Sequence, residues 1–146
     1  MKLLVWWSVI GAVIGLSKQS LTPEQRKAFE EKLVSDCSKK EGATSDDLAA
    51  IAKREMPTTP TGKCMHACFI ETLGFAKDNK VSIDGIVEIA KLSFDGDTGK
   101  VQTAREIGEE CAGVNDSDRC EFAMKMIGCA ETATKNRNIN FSELFQ

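Results

Sequence analysis

Six cysteines are the residues of this chain whose chemistry depends most on spacing, and they follow one another with 26, 3, 42, 8 and 8 residues between them. In an oxidising compartment such thiols pair into disulfides. Thiolates can also bind zinc, but the chain contains a single histidine to complete such a site. The sequence therefore predicts three disulfides and no metal site. The six are Cys37, Cys64, Cys68, Cys111, Cys120 and Cys129.

Helix geometry excludes two of the bonds that these cysteines could form. Cys64 and Cys68 are four residues apart on a predicted helix, where Cβ atoms lie about 5 to 6 Å apart, whereas a disulfide needs about 4 Å. Cys120 and Cys129 are nine residues apart, so a helix places them on opposite sides and about 13 Å apart along its axis. Of the 15 possible pairings of six cysteines, ten remain open.

The first 17 residues are expected to be removed before the protein folds. One lysine is followed by an apolar stretch from Leu3 to Leu16, which is typical of a secretory signal peptide. The stretch is shorter than the roughly 20 residues that span a bilayer. We expect residues 1–17 to be a signal peptide and residues 18–146 to form a single secreted domain, since that length suits one domain.

Composition and motifs argue against several functions. The net charge is −3 with lysines and arginines scattered, so no basic surface for nucleic acid is predicted. His66 is the single histidine and no activated serine accompanies it, so we expect no enzyme activity. Asp95, Asp97 and Glu106 match part of a calcium loop, but Lys100 stands where that loop needs glycine. No cofactor is predicted.

Apolar residues recur at helical spacing through most of the remaining chain. Thr22, Pro23 and Gln25 form a helix start, with threonine as N-cap and glutamine completing a capping box. Residues 57–62 are expected to be a loop, and the only strand pattern is a short one in the C-terminal tail. Gly85 is a weak point of the fourth helix. The six predicted helices run from Thr22 to about Lys40, from Ser45 towards Pro57, from Lys63 to Leu73, from Ser82 to Leu92, from about Lys100 to Ala112, and from a cap at Asp116 or Ser117 to about Lys135.

The cysteine spacing, together with the segment from Lys63 to Phe69, resembles a known family. Insect odorant-binding and pheromone-binding proteins of the six-cysteine type also have three residues between the second and third cysteines and eight between the fifth and sixth. The resemblance covers nearly all of the chain after the signal peptide. It implies the pairs Cys37–Cys68, Cys64–Cys120 and Cys111–Cys129, all of which helix geometry leaves open.

The resemblance also implies a fold and a function. The fold would be all-α, a six-helix disulfide-stapled bundle around an apolar cavity. The protein would be an extracellular carrier that reversibly binds small hydrophobic molecules such as odorants or pheromones. Apolar residues of the tail that have no other explanation make residues 139–145 a hypothetical lid. With His66 alone we expect only weak pH-dependent release, unless a carboxylate such as Glu143 is buried. The residues expected to line the cavity are Phe29, Leu33, Phe69, Ile86, Ile107, Phe122, Met126 and Phe141.

A second interpretation has the same fold but a different binding partner. The chain could be a secreted, non-olfactory interaction protein of saliva, seminal fluid or immunity that binds a protein. An exposed apolar patch without an internal cavity would favour this interpretation. Under either interpretation we expect a monomer or a weak homodimer, with a membrane receptor or another protein as the further partner.

Overall fold

The computed structural model describes residues 21–140, which form six helices and one short antiparallel hairpin. The predicted all-α architecture with six helices is therefore confirmed. The signal peptide predicted at residues 1–17 and the candidate wall residue Phe141 lie outside the described residues. The elements are α1 Pro23–Glu41, α2 Ser45–Ala52, α3 Pro60–Thr72, β1 Ala76–Lys77, β2 Lys80–Val81, α4 Ile83–Ser93, α5 Thr98–Glu110 and α6 Arg119–Asn136.

The first helix begins as its sequence predicts. The Thr22 hydroxyl accepts a hydrogen bond from the Gln25 backbone N–H at 3.2 Å, and the Gln25 side chain accepts one from the Thr22 N–H at 3.0 Å. These reciprocal bonds satisfy two donors that have no partner inside the helix. The helix ends at Gly42, whose φ of 66° lies in the left-handed region that glycine adopts without steric strain.

Two helix starts differ from prediction. α3 begins at Pro60, three residues before the expected start at Lys63, because Thr59 caps it and proline fits the first helical position. The prediction that residues 57–62 are all loop is therefore wrong. α6 is capped by Asp118, whose carboxylate accepts from the backbone N–H groups of Cys120 and Glu121 at 2.8 Å each.

The predicted α6 cap at Asp116 or Ser117 is wrong because Asp116 has other partners. Its carboxylate pairs with the Lys125 ammonium at 2.7 Å and accepts from the Asp118 backbone N–H at 2.8 Å. The hydrogen bond from Lys125 is the main reason that the pKa of Asp116 lies below its usual range. Asp116 therefore holds the loop before α6 against the body of that helix.

A two-stranded hairpin connects α3 to α4, where the sequence predicts no strand. Ala76 pairs with Val81 and Lys77 with Lys80. The two residues between the strands, Asp78 and Asn79, have φ of 51° and 54°. Two central residues with positive φ are the requirement of the tight hairpin turn, which aspartate and asparagine tolerate.

Three disulfides join the helices, and they are the pairs that the resemblance implies. Cys37–Cys68 joins α1 to α3, and Cys64–Cys120 joins α3 to α6. Cys111, which caps the end of α5, bonds Cys129 on α6. α3 and α6 thus carry two bonds each and lie against one another at the centre of the fold.

Gly85, which is unfavourable within a helix, lies at a close contact between the backbones of α4 and the end of α3. A Cβ placed there would lie 1.7 Å from the Gly74 carbonyl oxygen. Only a residue without a side chain lets the first turn of α4 lie against the backbone that ends α3. Gly74 itself has a φ of 77°, so two glycines together form this junction.

Candidate ligand-binding site

The buried side chains of the described region include two apolar clusters that share α3. The first, here called the Phe122 cluster, lies between α3, the hairpin and α6. The second, the Cys37 cluster, lies between α1 and α3. Both place apolar surface at the interior of the bundle, which is where affinity for an apolar ligand originates. The Phe122 cluster consists of Ala67, Ile70, Ala76, Phe122, Ala123 and Met126; the Cys37 cluster consists of Cys37, Met65 and Cys68.

The Phe122 cluster is the larger of the two and is surrounded by half-buried apolar side chains. α6 supplies three of its six members because Phe122, Ala123 and Met126 fall on one face of that helix. The surrounding side chains come from five different parts of the chain, so apolar groups pack against the cluster on several sides. They are Phe75, Val81, Ile86, Val114, Met124 and Ile127.

Ile86 links the Phe122 cluster to α5. It packs against the cluster from α4, and its Cδ1 would lie 3.0 Å from a Cβ placed at Gly108 on α5. The absence of a side chain at Gly108 therefore lets α4 and α5 approach closely. Ile107, the neighbour of that glycine, is 9 % exposed. The wall formed by α4 and α5 is thus continuous with the cluster on α6.

The Cys37 cluster is compact because a disulfide passes through it. The Cys37–Cys68 bond lies beside Met65, which is completely buried, and half-buried Leu33 and Phe69 pack against this group. His66 lies at the edge, with its ring 5.6 Å from that of Phe69 and its Nδ1 2.9 Å from the Gly62 carbonyl oxygen. This cluster fixes α1 to α3 and leaves little room for rearrangement.

The structure brings together some of the predicted wall residues and separates others. Ile86, Phe122 and Met126 meet at the Phe122 cluster, and Leu33 and Phe69 meet at the Cys37 cluster. Ile107 is buried on α5 but belongs to neither cluster. Phe29 is 43 % exposed on α1. Phe141 lies beyond the residues that the structure describes.

Two small residues of α6 that the helical pattern does not indicate, Ala133 and Thr134, are buried. Val87 and Ala90 on α4, which the pattern does place on an apolar face, are buried as well. The signal was present, since Ala133 is four residues after Cys129 and so lies on the same helix face. Thr134 is polar, but its hydroxyl donates to the Glu131 carbonyl oxygen at 2.9 Å. Its buried polar group is therefore satisfied within the helix.

Charged groups gather at the end of the bundle where α6 begins. Arg119 donates from Nε to Glu71 on α3 and from Nη2 to Glu41 on α1, both at 2.7 Å. The bond to Glu71, followed by that to Glu41, raises the pKa of Arg119 above its usual value. Beneath this network lies a narrow crevice, with no space for a water molecule, whose lining includes Asn79 and Phe122. The network fixes three helix ends at the border of the Phe122 cluster, because Glu71 and Arg119 line the same crevice as Phe122.

Asp47 joins the starts of α2 and α3. Its carboxylate accepts hydrogen bonds from the hydroxyls of Thr59 and Thr61 and from the Thr44 backbone N–H, the last at 2.9 Å. These bonds, with that of Thr59 the strongest, hold the pKa of Asp47 well below its usual range. The side chain is buried, so it acts as an internal cap for both helices.

Two features that would indicate other functions are absent from residues 21–140. Within residues 21–140, no helix is both long enough and apolar enough to span a membrane. The same region brings no three histidine, cysteine, aspartate or glutamate residues together around a common point. Asp97, one of the calcium-loop candidates, caps α5 by accepting from the Lys100 backbone N–H at 3.0 Å.

Comparison with known proteins identifies this disulfide-linked helical arrangement. A family model described as the PBP/GOBP family matches residues 18–133. The chain belongs to the PBP/GOBP family. Its odorant-binding relatives form a family of binding and carrier proteins, so the sequence resemblance is confirmed. General odorant-binding protein 28a of Drosophila melanogaster is 31 % identical over 105 residues, which cover 70 % of this chain and 73 % of the relative.

Solved structures of the family share the fold. The odorant-binding protein dmelOBP28a from Drosophila melanogaster superposes with a TM-score of 0.64 at 29 % identity, covering 79 % of this chain and 99 % of that one. The fatty acid binding protein OBP56a from the oral disk of the blowfly Phormia regina superposes with a TM-score of 0.66 at 25 % identity, covering 81 % and 98 % of the two chains. The coverage extends over nearly the whole of both solved proteins.

Proposed function

We propose that this protein is an extracellular carrier that reversibly binds small hydrophobic molecules, such as odorants or pheromones, within its helical bundle. The observation that carries the proposal is the Phe122 cluster, in which apolar side chains from α3, α4, α6 and the hairpin converge. Membership of a family of binding and carrier proteins supports a ligand-binding role for this cluster in addition to core packing. A blowfly relative with the same fold is a fatty acid binding protein by name.

The chemistry of the cluster favours a ligand that is mostly apolar. Its members and the apolar side chains packed against them carry no charge, and the charged groups Glu71 and Arg119 lie at its border, where they pair with each other. Affinity would come from burying ligand surface at about 25 cal/mol per Å². Because no unpaired polar group in the described part of the wall demands a partner, selectivity would depend on ligand shape and size. Met126 is an adaptable wall residue for this purpose.

The three disulfides also support the carrier proposal. Space for a ligand removes contacts from the interior and destabilises a bundle by roughly 24 cal/mol per Å³ of cavity. Each disulfide stabilises the fold by about 2 to 4 kcal/mol. Three bonds that join α1, α3, α5 and α6 can offset that loss. Secretion through the segment 1–17 would provide the oxidising compartment in which they form.

Displacement of a fluorescent apolar probe tests the proposal. The mature protein, refolded and fully oxidised, is titrated with N-phenyl-1-naphthylamine and then with panels of volatile and long-chain apolar compounds. Saturable binding at one site with micromolar affinity or better, and competitive displacement, are the expected results. Protein denatured in urea controls for adsorption to exposed apolar surface.

Two variants of α4 distinguish internal binding from surface binding. Ile86→Ala shortens a side chain that packs against the Phe122 cluster. It is expected to weaken probe binding about five- to tenfold. Leu92→Ala removes an equally apolar side chain that is 49 % exposed on the same helix, and it should leave the affinity unchanged. A folded protein that binds no member of the panel contradicts the carrier proposal and makes a secreted interaction protein the leading alternative.

A further inference from the structure

The loop between α5 and α6 contains a tripeptide that matches the acceptor pattern for asparagine-linked glycosylation. Asn115, Asp116 and Ser117 follow the order of asparagine, any residue except proline, and serine or threonine. A second match at residues 140–142 ends outside the described part of the chain. The pattern is only three residues long, so a modification site also requires that the asparagine and the hydroxyl-bearing residue are accessible.

Both of these side chains lie on the surface of the folded protein. Asn115 and Ser117 are exposed, whereas Val114 and Asp116 are half-buried. Val114 packs against the Phe122 cluster, and the Asp116 carboxylate pairs with the Lys125 ammonium at 2.7 Å. Side chains that anchor the loop therefore alternate with the two that an acceptor site needs, and those two are open to solvent.

The hydrogen bond of the Asn115 side chain is compatible with an attached sugar. Its Nδ2 donates to the Gly113 carbonyl oxygen at 3.2 Å. A carboxamide nitrogen carries two hydrogens, so a sugar can replace one of them while the other keeps this bond. Open space lies beside it, since a Cβ placed at Gly113 would meet nothing within 4 Å. Attachment of a sugar to Asn115 therefore does not require the loop to move.

Other groups hold the loop in place. Asn79, in the turn of the hairpin, donates from Nδ2 to the carbonyl oxygens of Asp116 and Ser117 at 3.1 and 3.2 Å. Together with the pair between Asp116 and Lys125, these bonds use backbone carbonyls and the middle side chain of the tripeptide. Substitutions at Asn115 or Ser117 should therefore leave the fold intact.

We propose that Asn115 is a site of N-linked glycosylation, modified as the chain passes through the secretory pathway. The donor is an oligosaccharide joined through diphosphate to a polyprenol lipid. A bond forms between Asn115 Nδ2 and C1 of the first sugar as the bond from C1 to the diphosphate oxygen breaks. The lipid diphosphate leaves, and a base of the transferase takes one amide proton. This inference rests on secretion, which is part of the proposed function.

The glycan projects away from the Phe122 cluster, because Asn115 is exposed while the neighbouring Val114 packs against that cluster. It adds a bulky, solubilising group to the surface beside the start of α6. Ligand binding inside the bundle should not depend on it. The glycosylated and the enzymatically deglycosylated protein should therefore bind N-phenyl-1-naphthylamine with affinities that agree within about twofold.

Mass spectrometry of the secreted protein tests the site. The full chain, with its own residues 1–17, is expressed in cultured insect cells and collected from the medium. Its intact mass is expected to exceed that of the polypeptide by a whole number of hexose, deoxyhexose and N-acetylhexosamine residues. A peptide N-glycosidase that accepts core-fucosylated glycans should remove this excess and convert Asn115 to aspartate, which peptide fragmentation locates.

Three substitutions distinguish the acceptor site from other effects. Asn115→Gln removes the acceptor nitrogen's position, and Ser117→Ala removes the hydroxyl that the acceptor pattern requires; each should abolish the glycan on residue 115. Ser117→Thr keeps a hydroxyl and should keep the glycan. Asn136→Gln, at an exposed asparagine outside either match, is the control and should leave the mass excess unchanged.

Unmodified Asn115 in protein from the medium overturns the proposal. So does a glycan that Asn140→Gln removes and Asn115→Gln leaves in place, because it would lie at the second match. A chain that stays inside the cells without a glycan contradicts secretion as well as the site. A glycosylated protein that binds no apolar probe contradicts the carrier proposal but supports the site, so failure of either proposal is distinguishable.

Discussion

The Phe122 cluster and the Cys37 cluster share α3 but are built differently. The Cys37 cluster contains a disulfide, one completely buried methionine and few neighbours. The Phe122 cluster has six buried apolar members and six more around it, contributed by α3, the hairpin, α4, α6 and the loop before α6. The first cluster contains a disulfide among its members, whereas the members of the second pack without one, although the Cys64–Cys120 bond joins the two helices that supply most of them. This difference suggests that the Cys37 cluster maintains the fold and that the Phe122 cluster can adapt to a ligand.

Removing disulfides should lower the free energy of unfolding, and removing the Cys37–Cys68 bond should lower it more than any other change considered below. Cys37→Ala/Cys68→Ala opens a loop of 31 residues and should lower the free energy of unfolding by about 4 kcal/mol. Cys111→Ala/Cys129→Ala opens a loop of 18 residues and should lower it by about 3 kcal/mol. Urea unfolding measures both variants.

The same two variants should differ in binding. Loss of the Cys37–Cys68 bond leaves the Phe122 cluster in place, so the folded fraction should keep its affinity for the probe. Loss of the Cys111–Cys129 bond loosens α5 against α6 and should weaken probe binding several-fold. The opposite order of affinities would contradict the division of roles between the clusters.

Two buried methionines allow one substitution to be compared in both clusters. Met65→Ala and Met126→Ala should each lower the free energy of unfolding by about 3 kcal/mol, since both side chains are buried. Met126→Ala should also change probe affinity by fivefold or more because it reshapes the Phe122 cluster. Met65→Ala should leave the affinity of the folded protein within twofold. Equal effects on binding would show that the clusters form one functional unit.

Gly85→Ala should destabilise the junction between α3 and α4 that borders the Phe122 cluster. The new Cβ would meet the Gly74 carbonyl oxygen at 1.7 Å, so α4 must move away, which costs about 2 to 3 kcal/mol. Gly128→Ala on α6 is the matched control: a Cβ there meets nothing within 4 Å, and alanine should stabilise the helix by about 0.5 to 1 kcal/mol. Thermal unfolding distinguishes the two, and a stable Gly85→Ala protein would exclude the close contact.

Acidification should lower the stability of the folded protein through Asp47. This effect should be smaller than those of the substitutions above. The pKa of Asp47 lies below its ordinary value of 3.8, so the ionised carboxylate stabilises the folded state above about pH 4. That contribution is lost as the pH falls below this value. Asp47→Asn should therefore flatten the pH dependence of stability below about pH 4, whereas Asp46→Asn on the exposed side of α2 should not. Urea midpoints measured from pH 5 to pH 2 provide the test.

Local sequence signals predict a large part of the helical framework. The capping box of Thr22 and Gln25 needs only four consecutive residues, and the structure shows both of its hydrogen bonds. α3 is harder, because Pro57 and Pro60 both suggest a loop and the sequence alone does not reveal that Thr59 caps a helix. The strands of the hairpin are two residues long, which is too short for any alternating pattern to be visible.

The residues of the candidate site were harder to predict from the sequence than the fold was. Periodicity places Phe29 and Phe122 equally on apolar helix faces, yet Phe29 is 43 % exposed and Phe122 is buried. The difference arises because α6 packs along α3, whereas residues 23–32 of α1 are almost all exposed within the described part of the chain. Ala133 is buried but is too small to stand out in a hydrophobic pattern.

Sequence patterns were enough to predict the six helices, the number of disulfides and, through the cysteine spacing, the family. Those properties depend on residues that are close in sequence or on intervals that can be counted. The packing of the helices was needed to show which apolar residues meet, that Gly85 is required for a backbone contact, and that Arg119 joins three helix ends. Each of these depends on distances between segments far apart in the chain, which local propensity and periodicity do not encode.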